Sequence, residues 1–112
     1  MAATLIAERN RPIIDALAEC VEACNACSYR CNAGHENMAE CARLCADCAA
    51  ICGLTHTLLS RESRWAAAIA RQAAQISAEC AAECEKFEDE HCRQCVQACR
   101  ASAERCRELA AQ

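Results

Sequence analysis

A chain of 112 residues with net charge −4 and both signs mixed along its length has no basic patch and no interleaved aromatics with which to meet a nucleic acid. Its hydrophobic fraction is 54%, but 27 of those residues are Ala and 14 are Cys, so the ordinary aliphatic core is thin. Two Gly and one Pro among abundant Ala, Glu, Arg and Gln favour helix over strand, and no run of 18 uncharged apolar residues exists to span a membrane.

The first helix is expected from Pro12, because proline suits a first helical turn. Its apolar seam is Ile13, Leu17, Cys20, Cys24, Cys27 and Cys31, in steps of 4, 3, 4, 3 and 4, and Gly34 marks its end. Asn37 and Glu40 read as a capping pair that opens a second helix at about Met38. That helix carries Met38, Cys41, Cys45, Cys48, Cys52, Thr55 and Leu59 as its seam. The next break is poorly marked, with no Gly or Pro between Leu54 and Asp89, and Ser60 or Ser63 is the candidate N-cap of a third helix. Its expected seam is Trp65, Ile69, Ala73, Ile76, Cys80, Cys84 and Phe87. Asp89 then caps a fourth helix with the seam Cys92, Cys95, Cys99, Ser102, Cys106 and Leu109.

The pattern C-x3-C-x2-C-x3-C occurs at Cys20–Cys31 and again at Cys41–Cys52, offset by 21 residues, and the second helical pair carries a looser version. At about 100° per residue, each set of four falls within an arc of roughly 60° on one helix face. Stepping by three and four is the seam of a bundle. Short loops predict an all-α, antiparallel, up-down-up-down four-helix bundle with a short N-terminal extension, forming a single domain over 1–112. The loops at Gly34 and Asp89 then share one end, so the thiols converge on one half of the core. Ile13, Ile14, Leu17, Leu58, Leu59, Trp65, Ile69 and Leu109 plug the other half.

The stretch MAATLIAERNRP lacks the basic and apolar regions of an export signal, so a cytoplasmic chain is expected. In a reducing compartment this many thiols point to metal or redox chemistry rather than to disulfides. One or two buried cysteines would be ordinary small hydrophobes. Fourteen in register leave less side-chain volume than leucine would, and the seam is expected to enclose a channel that something fills. Thiolates select Cu(I), Zn or Fe–S clusters. Fourteen ionised thiols put as many negative charges in the core, and four tetrahedral Zn(II) ions would return only about eight positive ones. Cu(I) accepts two sulfurs and shares bridging thiolates, so about one ion per thiolate approaches neutrality. The expected ligands are Cys20, Cys24, Cys27, Cys31, Cys41, Cys45, Cys48, Cys52, Cys80, Cys84, Cys92, Cys95, Cys99 and Cys106.

The stretches CVEACNACSYRC, ECARLCADCAAIC and CAAECEKFEDEHCRQCVQAC, with an EHCxxC start to the fourth helix, resemble the cytosolic branch of the bacterial copper storage proteins. The likeness runs from about Pro12 to Leu109. It implies a cysteine-lined bundle that loads many Cu(I) ions, and it implies a homotetramer. Ser77, Phe87 and Ser102 stand at seam positions where more cysteine-rich relatives could carry thiols.

His35 and Met38 at the first loop and His91 at the second form an expected mouth, since imidazole and thioether hold Cu(I) more weakly than thiolate and can pass it inward. His56 is expected at the surface, and Glu40, Arg43, Arg93, Arg100 and Glu104 on solvated faces. The leading reading is a non-enzymatic cytosolic Cu(I) store that exchanges copper with a delivering or accepting partner. A metallothionein-like zinc or mixed-metal buffer is the alternative. A thiol redox enzyme would need exposed, activated thiols, which a buried row does not offer.

Overall fold

Proline and glycine delimit the first helix as expected. In the computed structural model, which describes residues 5–34 and 36–112, a 3-10 turn at Glu8–Asn10 leads into α1, Arg11–Gly34. A second 3-10 turn, Glu36–Met38, leads into α2, Ala39–Ser60, and α3 and α4 follow as Ala66–Cys84 and Glu90–Ala110. No strand is present among the described residues.

Each helix packs on its neighbours in sequence, and α1 also packs on α4, which closes a ring of four. Sulfur contacts fix the directions. Cys41 near the start of α2 touches Cys84 at the end of α3, and Cys31 near the end of α1 meets His91 near the start of α4. The bundle is therefore antiparallel, with the α1–α2 and α3–α4 loops at one end.

Two helix starts differ from expectation, and a third has the expected N-cap residue without its side-chain bond. Asn37 does not cap α2: it lies in the 3-10 turn, Met38 occupies the N-cap without a side-chain bond, and Glu40 instead pairs with Arg43 at 2.9 Å. The turn hands its backbone directly to the helix, which removes the position Asn37 would have capped. At α3 the N-cap is Trp65, and Ser63 acts one turn earlier by accepting the Trp65 N–H at 3.1 Å. Asp89 does stand at the N-cap of α4, but its carbonyl rather than its side chain is engaged, accepting the N–H groups of Cys92 and Arg93 at 3.0 Å.

The poorly marked break after α2 is built without glycine. The Ser63 N–H reaches back to the Leu58 carbonyl and the Glu62 N–H to the Leu59 carbonyl, both at 2.9 Å, which is the paired bonding of a Schellman motif. Glu62 takes the left-handed position, φ 51°, usually held by glycine. Its carboxylate accepts from Arg9 at 3.0 Å, which ties the loop to the turn before α1.

The seam of α3 also differs. Its buried row is Ala66, Ala70, Ala73, Ser77, Cys80 and Cys84, flanked by buried Ala74 and Ala81. Ile69, Ile76 and Phe87 are half-buried on the flanks, and Trp65 is 59% exposed with the Arg64 guanidinium 5.3 Å from its ring centroid. Counting back from Cys84 in steps of 4, 3, 4, 3 and 4 reaches Ala66, so the register follows the cysteines and not the bulkier apolar residues. The plug is thus Ile13, Ile14, Leu17, Leu59 and Leu109, buried against alanines of α3, with Leu58 and Ile69 half-buried at its edge and Trp65 outside it.

Candidate metal centre

All fourteen cysteines are buried and free. Their sulfurs meet along the bundle axis, contributed by all four helices because each seam repeats every three or four residues. Contacts run from 3.2 Å between Cys41 and Cys84 to 4.0 Å between Cys48 and Cys99. A disulfide is about 2.05 Å long, so these are touching thiols and not bonds. The expected open channel is absent. Small seam residues, Ala on α3 among them, let the helices close until sulfur packs on sulfur at its own contact distance.

The contacts have an order. Five sets of four sulfurs, each set lying within 4.8 Å, occur among the described residues. From the plug inward they are Cys20, Cys24, Cys48 and Cys99; Cys24, Cys80, Cys95 and Cys99; Cys45, Cys80, Cys84 and Cys95; Cys27, Cys41, Cys45 and Cys84; and Cys27, Cys31, Cys41 and Cys92. Each set shares two cysteines with the next. The result is a chain of quartets joined edge to edge, and the inner three have no cysteine that is theirs alone.

For metal–sulfur bonds of about 2.3 Å, a regular tetrahedral or trigonal site needs sulfurs roughly 3.8 to 4.0 Å apart. The observed spacings of 3.4 to 4.0 Å within the plug-side quartet, from Cys24–Cys99 to Cys48–Cys99, already approach that range. Small outward adjustments of the side chains suffice to seat an ion.

Burial is the leading influence on the thiols at the two ends of the row. It pushes the Cys106 thiol up to about 11, against a hydrogen bond from Ser102 that lowers it. Desolvation is likewise the leading cause at Cys31 and Cys92, which rise to about 11 and about 12. These end thiols are held neutral in the empty bundle, and an arriving cation displaces a proton from any thiol it binds.

The remaining expected residues fall out as follows. Met38 is buried at the loop end of the row, and His91 is half-buried with Nε2 3.6 Å from Cys31 Sγ. A surface groove between α1 and α4, lined by Ala23, Ala26, Arg30, Glu90, His91 and Gln94, has this imidazole in its wall. His35 lies outside the described residues. His56 is half-buried one turn past Cys52 and belongs to none of the quartets. Glu40, Arg43, Arg93, Arg100 and Glu104 are exposed, with Arg100 paired to Glu85 across the α3–α4 face at 2.6 Å.

Cys52 and Cys106 stand apart from the quartets. Both touch Ser102, and Ser77 and Ser102 face each other at 3.3 Å in the fully buried core. Sequence reading noted these serines only as places without thiols. Ser102 stands one seam step from both Cys99 and Cys106, and Ser77 one step from Cys80, which is the sign in the sequence that they contact sulfur.

The comparisons agree with this geometry. The chain from residue 6 to residue 111 matches the family model described as copper storage protein. A curated relative, the uncharacterized cysteine-rich protein YhjQ of Bacillus subtilis (strain 168), is 35% identical over 100 residues, covering 88% of this chain and 93% of the relative. Copper storage protein 3 from Bacillus subtilis in its apo form is 34% identical, with a TM-score of 0.87 over 90% of this chain and 98% of that one. The Cu(I)-bound form of copper storage protein BsCsp3 is 33% identical, with a TM-score of 0.86 over 90% of this chain and 97% of that one. A structure of copper loading to a cytosolic copper storage protein from Streptomyces lividans, with five coppers, is 32% identical at a TM-score of 0.85, covering 91% of this chain and 92% of that one. With its sulfur-packed four-helix core matched along nearly its whole length, the chain belongs to the copper storage protein family.

Proposed function

We propose that this chain stores Cu(I), holding many ions on thiolates of its core. The observation that carries the reading is the row of five edge-sharing quartets. Ions seated on two sides of a shared edge would lie about 3 Å apart at these sulfur spacings, and their repulsion scales with the product of the charges. A pair of dications repels four times as strongly as a pair of monocations, so the shared edges favour Cu(I) over a zinc or mixed-metal filling. The ligands are Cys20, Cys24, Cys27, Cys31, Cys41, Cys45, Cys48, Cys80, Cys84, Cys92, Cys95 and Cys99 in the quartets, with Cys52 touching Cys20 and Cys48 at their end.

Met38 and His91 form the mouth of the store, supported by the half-buried imidazole beside Cys31 and the groove that reaches it. The same reading places the protein in the cytoplasm, as a homotetramer without a catalytic step, taking copper from or giving it to a partner protein. The relative named as cytosolic supports the compartment, and no helix among the described residues is long and apolar enough to cross a membrane.

Anaerobic titration tests the function. Cu(I) is expected to saturate near one ion per participating thiol and to raise the melting temperature steeply, because each ion at a hundredfold excess over its Kd adds about 2.7 kcal/mol. Tighter binding of Zn(II), saturating near one ion per four thiols, would overturn the reading in favour of a zinc buffer. Combining His91→Ala with Met38→Leu is expected to slow Cu(I) uptake without lowering the final count; uptake at the original rate would remove both residues from the mouth.

A further inference from the structure

Beside the plug-side quartet the sulfurs make a different figure. Cys20, Cys48 and Cys52 stand at the corners of a nearly equilateral triangle with sides of 3.7, 3.8 and 3.9 Å. Along the Cys48–Cys52 edge of this triangle, the Ser77 hydroxyl lies 3.4 Å from Cys48 and 3.5 Å from Cys52. Ser102 backs it, 3.3 Å from the Ser77 oxygen and 3.4 Å from Cys52. Cys106 follows, 3.9 Å from the Ser102 oxygen, its one hydrogen-bonding neighbour among the described residues.

We propose that Cys20, Cys48 and Cys52 form the inner terminal site of the row, a three-thiolate Cu(I) site bordered along its Cys48–Cys52 edge by the Ser77–Ser102 hydroxyl pair, and that Cys106 remains outside the metal-bearing set. This rests on the storage reading and adds where the row stops.

A three-sulfur face suits Cu(I), which accepts low coordination numbers, and leaves a metal that demands four ligands one short. A neutral hydroxyl is a poor ligand for a soft ion but a good donor to thiolate. Each serine has one proton to give and lone pairs to receive. With Cys48 and Cys52 ionised by metal, a single direction satisfies every group: Cys106 S–H donates to Ser102, Ser102 O–H to Ser77, and Ser77 O–H to the thiolates. Hydrogen bonds to an ionised acceptor are the strong ones, so the terminal thiolates gain from this chain. Cys106 belongs to none of the quartets, and its contact is the Ser102 oxygen and not a sulfur. Its thiol is the far end of a donor chain and not a ligand.

The test compares Cu(I) capacity in the full-length protein and three variants, with circular dichroism to confirm folding and the infrared S–H stretch recorded at saturation. Cys106→Ser is expected to bind as many ions as the parent, and Cys52→Ser to bind at least one fewer. Adding thiols with Ser77→Cys plus Ser102→Cys should raise the count by two or more. A single residual S–H band should persist in the saturated parent and vanish in Cys106→Ser. Loss of an ion in Cys106→Ser, absence of that band, or an unchanged count in the double variant would overturn the proposal. Should the double variant not fold, the infrared band and Cys106→Ser still decide. A parent protein that takes up no Cu(I) defeats the storage reading itself, an outcome distinct from a loaded parent whose Cys106→Ser variant falls short.

Discussion

At one end of the bundle the axis is filled by Ile13, Ile14, Leu17, Leu59 and Leu109; at the other it is filled by sulfur. The helices and their stepping of three and four residues are the same in both halves. Only the side chain at the seam changes, and with it the work each half performs. Large aliphatic groups remove much apolar area from water, at roughly 25 cal/mol per Å², and lock the helices together. Thiols bury less surface and hold less shape, but every one is a ligand once it loses a proton. Folding free energy is thus concentrated where metal is not, so the empty store can keep its form while it waits for cargo.

Truncating the greasy half should have the largest effect on the empty protein. Leu17, fully buried, should cost about 2–5 kcal/mol on Leu17→Ala, read as a shift in the urea midpoint, with the Cu(I) count unchanged. Cys45→Ala should do the opposite. Its cavity costs about 1 kcal/mol or somewhat more, whereas its loss opens two quartets at once and should lower the ion count. Equal stability losses in the two variants would erase the division of labour.

Alkali should weaken the sulfur half selectively. The buried Cys106 thiol is raised from 9.0 to about 11, so its neutral form is favoured in the folded state. That contribution is complete below pH 9 and disappears as pH climbs through 11. Urea unfolding of the metal-free protein at successive pH values should therefore show a loss of roughly 2 kcal/mol from this group alone. Cys31 and Cys92, raised for the same reason, move stability in the same direction. A stability that is flat or rising between pH 9 and 11 would contradict the burial of these three thiols in neutral form.

The smallest change concerns the loop at the aliphatic end. Glu62→Gly relieves a left-handed backbone at a position glycine occupies freely and should stabilise the protein by about 0.5–1 kcal/mol by thermal melt. The exposed Arg9–Glu62 pair lost with it is worth little. Destabilisation by this change would mean that the ion pair, and not the bend, holds the loop.

Most of the bundle could be read from the cysteines themselves. Because they recur in strict register on α1, α2 and α4, they announced the seam, the helix order and the end at which sulfur would gather. The errors arose where the seam holds no cysteine and a bulkier residue lies nearby. On α3 the alanines Ala66, Ala70 and Ala73 are buried, while Trp65, Ile69 and Ile76 drew attention by size and lie partly or largely outside. Packing density, not hydrophobicity, chose that face: narrow side chains on α3 accommodate the large ones on the other helices. The closed axis was also missed, since spacing along one helix says nothing of how near four helices approach. Nor does a local motif reveal that the Asn37 cap is displaced by a 3-10 turn or that Glu62 takes a glycine's place.

The inner quartets own no cysteine that a neighbour does not also use. An ion in the middle of such a ladder cannot be plucked out without stripping the rungs beside it, whereas one at either extremity keeps two sulfurs of its own to unlatch. Removing a middle ion would thus disturb two neighbours, and removing a terminal one would disturb a single neighbour.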